Sequence, residues 1–155
     1  MKQQVDHHKI APKALKGMFE LEKYVANCNL EPSLLELVKL RVSQINGCEY
    51  CIEMHTRDAR NAGETRQRIE GLGVWRETNF FTKREQAALA WVEALAFIYN
   101  TDVSDGVFEQ VRNTFSDQEI VALTTASNAV NSWNRLAISF SKISGYYNSE
   151  GELKI

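Results

Sequence analysis

Chain breakers are scarce in this sequence. Only two prolines occur, Pro12 and Pro32, and neither falls inside a periodic segment, so helices can run unbroken. Alternating runs of Val, Ile and Thr are also missing, which argues against strands. No stretch reaches the ~18 consecutive apolar residues of a membrane span. The segment Met1 to Met18 is polar, with paired histidines and no apolar core of a secretory signal. The expectation is a cytoplasmic chain with no membrane partner. Charge of one sign is lacking too: 18 Lys and Arg face 20 Asp and Glu, a net charge of −2, with no basic block. Nucleic acid is thereby excluded as a partner. Cysteines number three, an odd count that argues against a structural disulfide framework in an unexported chain. With 155 residues, 44% of them hydrophobic, the chain suits one domain, 1–155, able to build its core without staples.

What remains is helix, and the expected fold class is all-α, a single-domain bundle of about six to seven helices. A first helix is expected from about Pro12 to Val25. A second opens at Pro32, a residue suited to a first helical turn, and runs to Asn46-Gly47. A third spans Cys48 to Ala62-Gly63, and a short one leads from Thr65 to Gly71-Leu72-Gly73, a turn that lacks the rest of a nucleotide-binding fingerprint. Thr82 with Glu85 forms a capping box before a helix whose Ala87, Trp91, Ala94, Leu95 and Ile98 make one apolar stripe. Asp105 to Phe115 is a further short helix. Ser116 with Glu119 caps a long C-terminal helix over about 116–143, which carries no charged residue from Ile120 to Asn134. Such a helix is expected to be covered on most sides, by the core or by a second subunit. The tail from Tyr146 to Ile155 is expected to be loosely ordered.

Chemistry concentrates at residues 47 to 55, which read Gly-Cys-Glu-Tyr-Cys-Ile-Glu-Met-His. Cys48 and Cys51 stand at a helix start, three residues apart and hence ~5–6 Å from one another, inside the disulfide window. His55 lies four residues past Cys51 on the same helical face, placed to act as its base. The helix N-terminus favours thiolate over thiol. A base needs orienting, and the carboxylate available is Glu36, set among leucines on the preceding helix.

Glu36, eleven intervening residues, Cys48-x-x-Cys51, three intervening residues and His55 resemble the active-site pattern of the alkyl hydroperoxidase D (AhpD-like) proteins of the carboxymuconolactone decarboxylase superfamily. Leu40 to Cys48 and Asn131 to Leu136 are similar to that family as well, and the likeness covers most of residues 15 to 142, with an active-site core over about 30–100. The resemblance implies an all-helical fold, assembly as a trimer or hexamer, and a peroxidase that reduces an organic hydroperoxide to an alcohol. On that reading Cys51 attacks the peroxide and becomes a sulfenic acid. Cys48, expected to be the more exposed sulfur, then closes a disulfide that an external dithiol reopens. His55, held by Glu36, takes the Cys51 proton. The resemblance requires no metal and no organic cofactor. One departure is Tyr50, which stands where the family's well-known members carry a second histidine between the cysteines.

Other readings of these residues compete. Zinc on Cys48, Cys51, His55 and Glu36 fits by ligand type, but there is no second C-x-x-C or H-x-x-x-H to strengthen it. Haem attachment is excluded because Ile52, not His, follows Cys51. Glu36 also has Lys39 three residues on, enough for a plain surface ion pair. His7 and His8 are expected to be exposed and idle, and Cys28 an incidental thiol. The rival functions are lactone decarboxylation, as in the branch that names the superfamily, and a redox-sensing oligomer without turnover.

Overall fold

A computed structural model describes residues 5–141, and among them every regular element is a helix. Helix α1 is one turn, His7–Ile10. A 3-10 turn over Pro12–Leu15 feeds α2, Lys16–Ala26. Then come α3, Pro32–Asn46, and α4, Glu49–Asn61. The short α5, Arg66–Gly71, continues into a 3-10 stretch over Leu72–Glu77. The chain closes with α6, Lys83–Ala96, α7, Asp105–Arg112, and α8, Asp117–Ser139.

Local chemistry accounts for most of these ends. Pro32 sits in the first turn of α3, where its missing N–H costs nothing. The Thr82/Glu85 and Ser116/Glu119 capping boxes both form, each pairing side chain with backbone in both directions. Gly47 ends α3 in the left-handed region at φ 66°, where a Cβ would be strained. The Cys48 N–H bonds back to the Ser43 carbonyl at 3.1 Å, closing a Schellman cap that turns the chain directly into α4.

Helix α3 is the centre of the molecule. Its Leu34, Leu35, Val38 and Val42 pack with Ala88, Trp91 and Val92 of α6 and with Leu123, Ala126 and Val130 of α8. From another side Leu37 and Leu40 meet Leu72, Trp75, Phe81 and Leu89. Each of these large side chains, fully buried, contributes roughly 1.5–3 kcal/mol.

Three features differ from the sequence-based expectations, and one open alternative is decided. An additional helix, α1, forms in the arm expected to be idle. Ile98 lies beyond the end of α6 and is 56% exposed, so the apolar stripe stops at Leu95. The uncharged run of α8 takes the first of its two expected covers, the core of its own chain: Ala122, Leu123, Ala126, Ser127, Ala129, Val130 and Asn134 are all buried. Finally, α8 stops at Ser139 and Ser141 turns to φ 51°, short of Ile143. The segment Tyr146 to Ile155 lies outside the described residues.

Two polar clusters explain how charge and amide groups are carried inside. Buried Glu93 accepts from Arg41 at 2.5 Å, from the Trp75 indole at 3.0 Å and from Arg76. Burial pushes its carboxyl up, but these three donors outweigh that and hold it below the usual carboxylate range. The cluster ties the 3-10 stretch to α3 and α6. Near the C-terminal end of α3, the Asn46 amide donates to Asn131 and Asn134 at 2.8 Å each, and Asn134 donates to the Ser43 hydroxyl at 3.1 Å. That second cluster locks α8 to the segment from which Cys48 emerges.

Candidate active site

Cys48 is the N-cap of α4, its carbonyl accepting the first helical bond from the Ile52 N–H at 2.9 Å. Cys51 therefore stands in the first turn, where backbone N–H groups lack helical partners. The two sulfurs form a disulfide with Cα atoms 5.3 Å apart. Cys28 is the free thiol among the cysteines and donates locally to the Val25 carbonyl at 3.0 Å.

The expected exposure of Cys48 is not what the fold provides. Cys48 is 1% exposed and Cys51 3%, and both pack with Ala137 of α8 and with Tyr50. The physical reason is the Schellman turn, which folds the start of α4 under α8 instead of leaving it at the surface. The disulfide is thus covered from outside.

Glu36 and His55 come together across the α3–α4 interface. His55 Nδ1 lies 2.9 Å from Glu36 Oε2, and His55 is buried. The other carboxylate oxygen accepts from Lys39 Nζ at 3.1 Å, and Lys39 in turn faces Glu22 at 3.9 Å. The ion pair with Lys39 and the contact with His55 therefore coexist. Burial pushes the Glu36 carboxyl up, yet the hydrogen bond with His55 and the Lys39 ammonium prevail, so it lies below its ordinary value. It is an ionised carboxylate at neutral pH, able to fix the imidazole ring with Nδ1 toward it and leave Nε2 for proton transfer.

Glu36, His55 and Asp58 each offer one ligand atom within 4.8 Å of the others. Both Glu36 oxygens are already engaged, one by a cationic ammonium, and a second positive charge beside Lys39 would be opposed. The donor set suits a hydrogen-bonded relay better than a cation site.

A cavity of about 340 Å³ opens over this pair. Met54, Val130, Trp133 and Ala137 line it, with Tyr50 linking it to the disulfide, and Glu36, Lys39, His55 and Asp58 supply its polar wall. The volume and mixed lining suit a small organic molecule. His7 and His8 line the same cavity. His7 is 6% exposed, so the expectation that it is exposed is corrected. Its ring packs 5.3 Å from Phe140, and His8 stacks 6.1 Å from Trp133. No sequence motif flags either histidine: His8 stays exposed, and what covers His7 is Phe140 at the end of α8, far away in sequence.

The model of the carboxymuconolactone decarboxylase family matches residues 12–94. YdfG of Bacillus subtilis (strain 168), an uncharacterized protein, is 42% identical over 138 residues, spanning 89% of this chain and 94% of its own length. A crystal structure from Agrobacterium tumefaciens, of a protein of unknown function that is a candidate antioxidant defence protein AhpD, superposes with a TM-score of 0.88 at 42% identity. It covers 92% of this chain and 97% of that one. The AhpD core of a peroxidase-related protein from Ralstonia eutropha shares the fold, with a TM-score of 0.78 at 18% identity over 92% of this chain and 75% of that one.

Proposed function

This chain belongs to the carboxymuconolactone decarboxylase family and has an AhpD-like all-helical fold, and we propose that it works there as a thiol-dependent peroxidase for organic hydroperoxides. The observation that carries the reading is the conjunction, on one helix start, of the Cys48–Cys51 pair with a His55 whose Nδ1 is held 2.9 Å from an ionised Glu36.

In the reduced protein, His55 takes the Cys51 proton through Nε2 while Glu36 stabilises the imidazolium that results. The Cys51 thiolate attacks the distal peroxide oxygen, forming an S–O bond as the O–O bond breaks, and the alkoxide expelled takes up one proton, the equivalent of that removed from Cys51, to leave as the alcohol. The sulfenic acid then condenses with the Cys48 thiol, releasing water and leaving the disulfide. Two electrons from an external dithiol restore both thiols by exchange. The balance is one hydroperoxide and two thiols consumed for one alcohol, one water and one disulfide. Because the sulfurs are covered by Ala137 and Tyr50, a small or flexible dithiol suits the second half of the cycle better than a bulky one. Assembly as a trimer or hexamer belongs to the same reading, with the exposed side chains Phe97, Ile98, Tyr99 and Phe108 as apolar surface for a neighbour.

Lactone decarboxylation leaves the paired thiols without a task, and a redox sensor leaves the cavity without one. Steady-state consumption of cumene hydroperoxide with dihydrolipoamide as reductant tests the proposal. Multiple turnovers per protein chain, abolished in Cys51→Ser, are expected. A single stoichiometric oxidation that never turns over would assign the chain to the sensor reading.

A further inference from the structure

We infer that Lys39 is a positioning residue of this site: its ammonium clamps the Glu36 carboxylate as a counter-ion, taking up one oxygen and leaving the other to face His55. This role rests on the peroxidase reading and adds to it the group that governs the orienting carboxylate.

The side chains form a chain across three helices. Glu22 of α2 lies 3.9 Å from Lys39 Nζ. Lys39 donates to Glu36 Oε1 at 3.1 Å, and Glu36 Oε2 lies 2.9 Å from His55 Nδ1. An i,i+3 pair on a helix surface is usually solvated and weak. Here the side chains of Lys39 and Glu36 are only 16% and 17% exposed, so solvent and salt screen their attraction less.

The charges that face Glu36 make this lysine necessary. Helix α4 brings His55 and also Asp58, which has a carboxylate oxygen within 4.8 Å of a Glu36 oxygen and is itself paired with Arg57 at 2.8 Å. Helix α2 brings Glu22. The residues that α8 contributes to the cavity, Val130, Trp133 and Ala137, carry no charge, and α1 contributes His7 and His8. Among the described residues lining the cavity, Lys39 is therefore the one lysine or arginine, against Glu22, Glu36 and Asp58. Burial pushes the Glu36 carboxyl up, and what holds it down is the His55 hydrogen bond followed by the Lys39 ammonium. Without Lys39, burial and two neighbouring carboxylates favour the protonated form. A protonated Glu36 directs its O–H at Nδ1, which moves the ring N–H to Nε2. Nε2 then has no lone pair for the Cys51 proton, and no negative charge stands beside Nδ1 to stabilise an imidazolium.

The test compares two substitutions at two pH values. Lys39→Met keeps the length of the side chain and removes its charge, whereas Lys39→Arg keeps the charge. Oxidation of the reduced proteins by cumene hydroperoxide is followed by stopped flow at about pH 5.5 and about pH 8, each variant against wild type at the same pH. A carboxyl held below its ordinary value contributes above that value and loses its contribution as pH falls through the folded one. Removing the cation that holds it down moves that loss to higher pH. Lys39→Met should therefore lose about tenfold at the lower pH and stay within about threefold of wild type at the higher, and Lys39→Arg should stay within about threefold at both. Added to Glu36→Gln, Lys39→Met should change the rate by less than about twofold. The higher-pH arm also reports that the variant site is folded. Equal losses at both pH values would reduce Lys39 to a packing residue, and wild-type rates at both would remove it from the reaction. A further loss of about tenfold on top of Glu36→Gln would mean that Lys39 acts on something other than Glu36. Each of these outcomes overturns the inference and leaves the peroxidase reading in place. A wild-type protein that consumes no peroxide would overturn that reading, and the inference with it.

Discussion

Replacing Glu36 by Gln keeps the shape of the side chain and removes its charge. In the native site one carboxylate oxygen lies 2.9 Å from His55 Nδ1 and the other accepts from Lys39 at 3.1 Å. A glutamine oxygen can still accept from the Nδ1–H, so the ring stays oriented. What is lost is the charge-assisted part of the bond. Hydrogen bonds to charged groups contribute about 1.5–3 kcal/mol and neutral ones about 0.5–1.5, so the imidazolium formed in the transition state loses roughly 1–1.5 kcal/mol. That corresponds to about a tenfold fall in the rate of Cys51 oxidation. His55→Ala, which removes the base itself, should cost about 10²-fold or more. Stopped-flow oxidation of the reduced protein by cumene hydroperoxide measures both. The pH dependence adds a second readout. Because the folded carboxyl sits below its ordinary value of 4.5, its contribution to stability and to rate is fully present above that value and is lost as pH falls through the lower folded value. The Glu36 component of the wild-type profile should therefore be lost only below about pH 4.5, and that component alone should be missing from the Glu36→Gln profile. A Glu36→Gln variant at wild-type rate would refute the orienting role. One as slow as His55→Ala would mean that Glu36 transfers the proton itself.

Peptide mapping after one equivalent of peroxide should find Cys48 and Cys51 cross-linked and Cys28 free, since only the first two stand at 5.3 Å; a link involving Cys28 would end the mechanism. Asn134→Ala should destabilise the fold by roughly 2–4 kcal/mol in urea titrations, because it leaves the fully buried Ser43 hydroxyl unpaired and opens a void beside Asn46. A change below about 0.5 kcal/mol would show that the amide cluster does not hold α8. Light scattering should report a closed oligomer. A monomer at micromolar concentration would show that the apolar side chains around Phe97 and Tyr99 need no partner.

The features written in the sequence are those that depend on residues within a turn or two of each other. Two capping boxes, Pro32 at a first turn and the glycine that ends α3 each act through their own backbone, so helix starts and stops follow from residue type and spacing. The same locality makes the Cys48, Cys51 and His55 arrangement legible: one helix start and one four-residue step determine it. Glu36 was reachable because a single tight turn at Gly47 folds its helix against the next. Where the deciding contact spans the chain, the sequence is silent. Arg41 finds Glu93 52 residues away and Asn46 finds Asn134 88 residues away, although neither pair shows a pattern in either segment. His7 looks like part of a solvated arm, because its polarity is visible and the Phe140 ring that covers it is not. Likewise the bare stretch of α8 reads as covered, by the core or by a second subunit, and which of the two is decided only when α2, α3 and α6 are placed around it. Cys48 reads as exposed until α8 is laid over the start of α4. Burial depends on which helix faces are brought together, and that is decided by the packing of apolar side chains distant in sequence. Local preference governs where each helix begins and ends; only the assembled core determines that α1 and α8 close over one cavity.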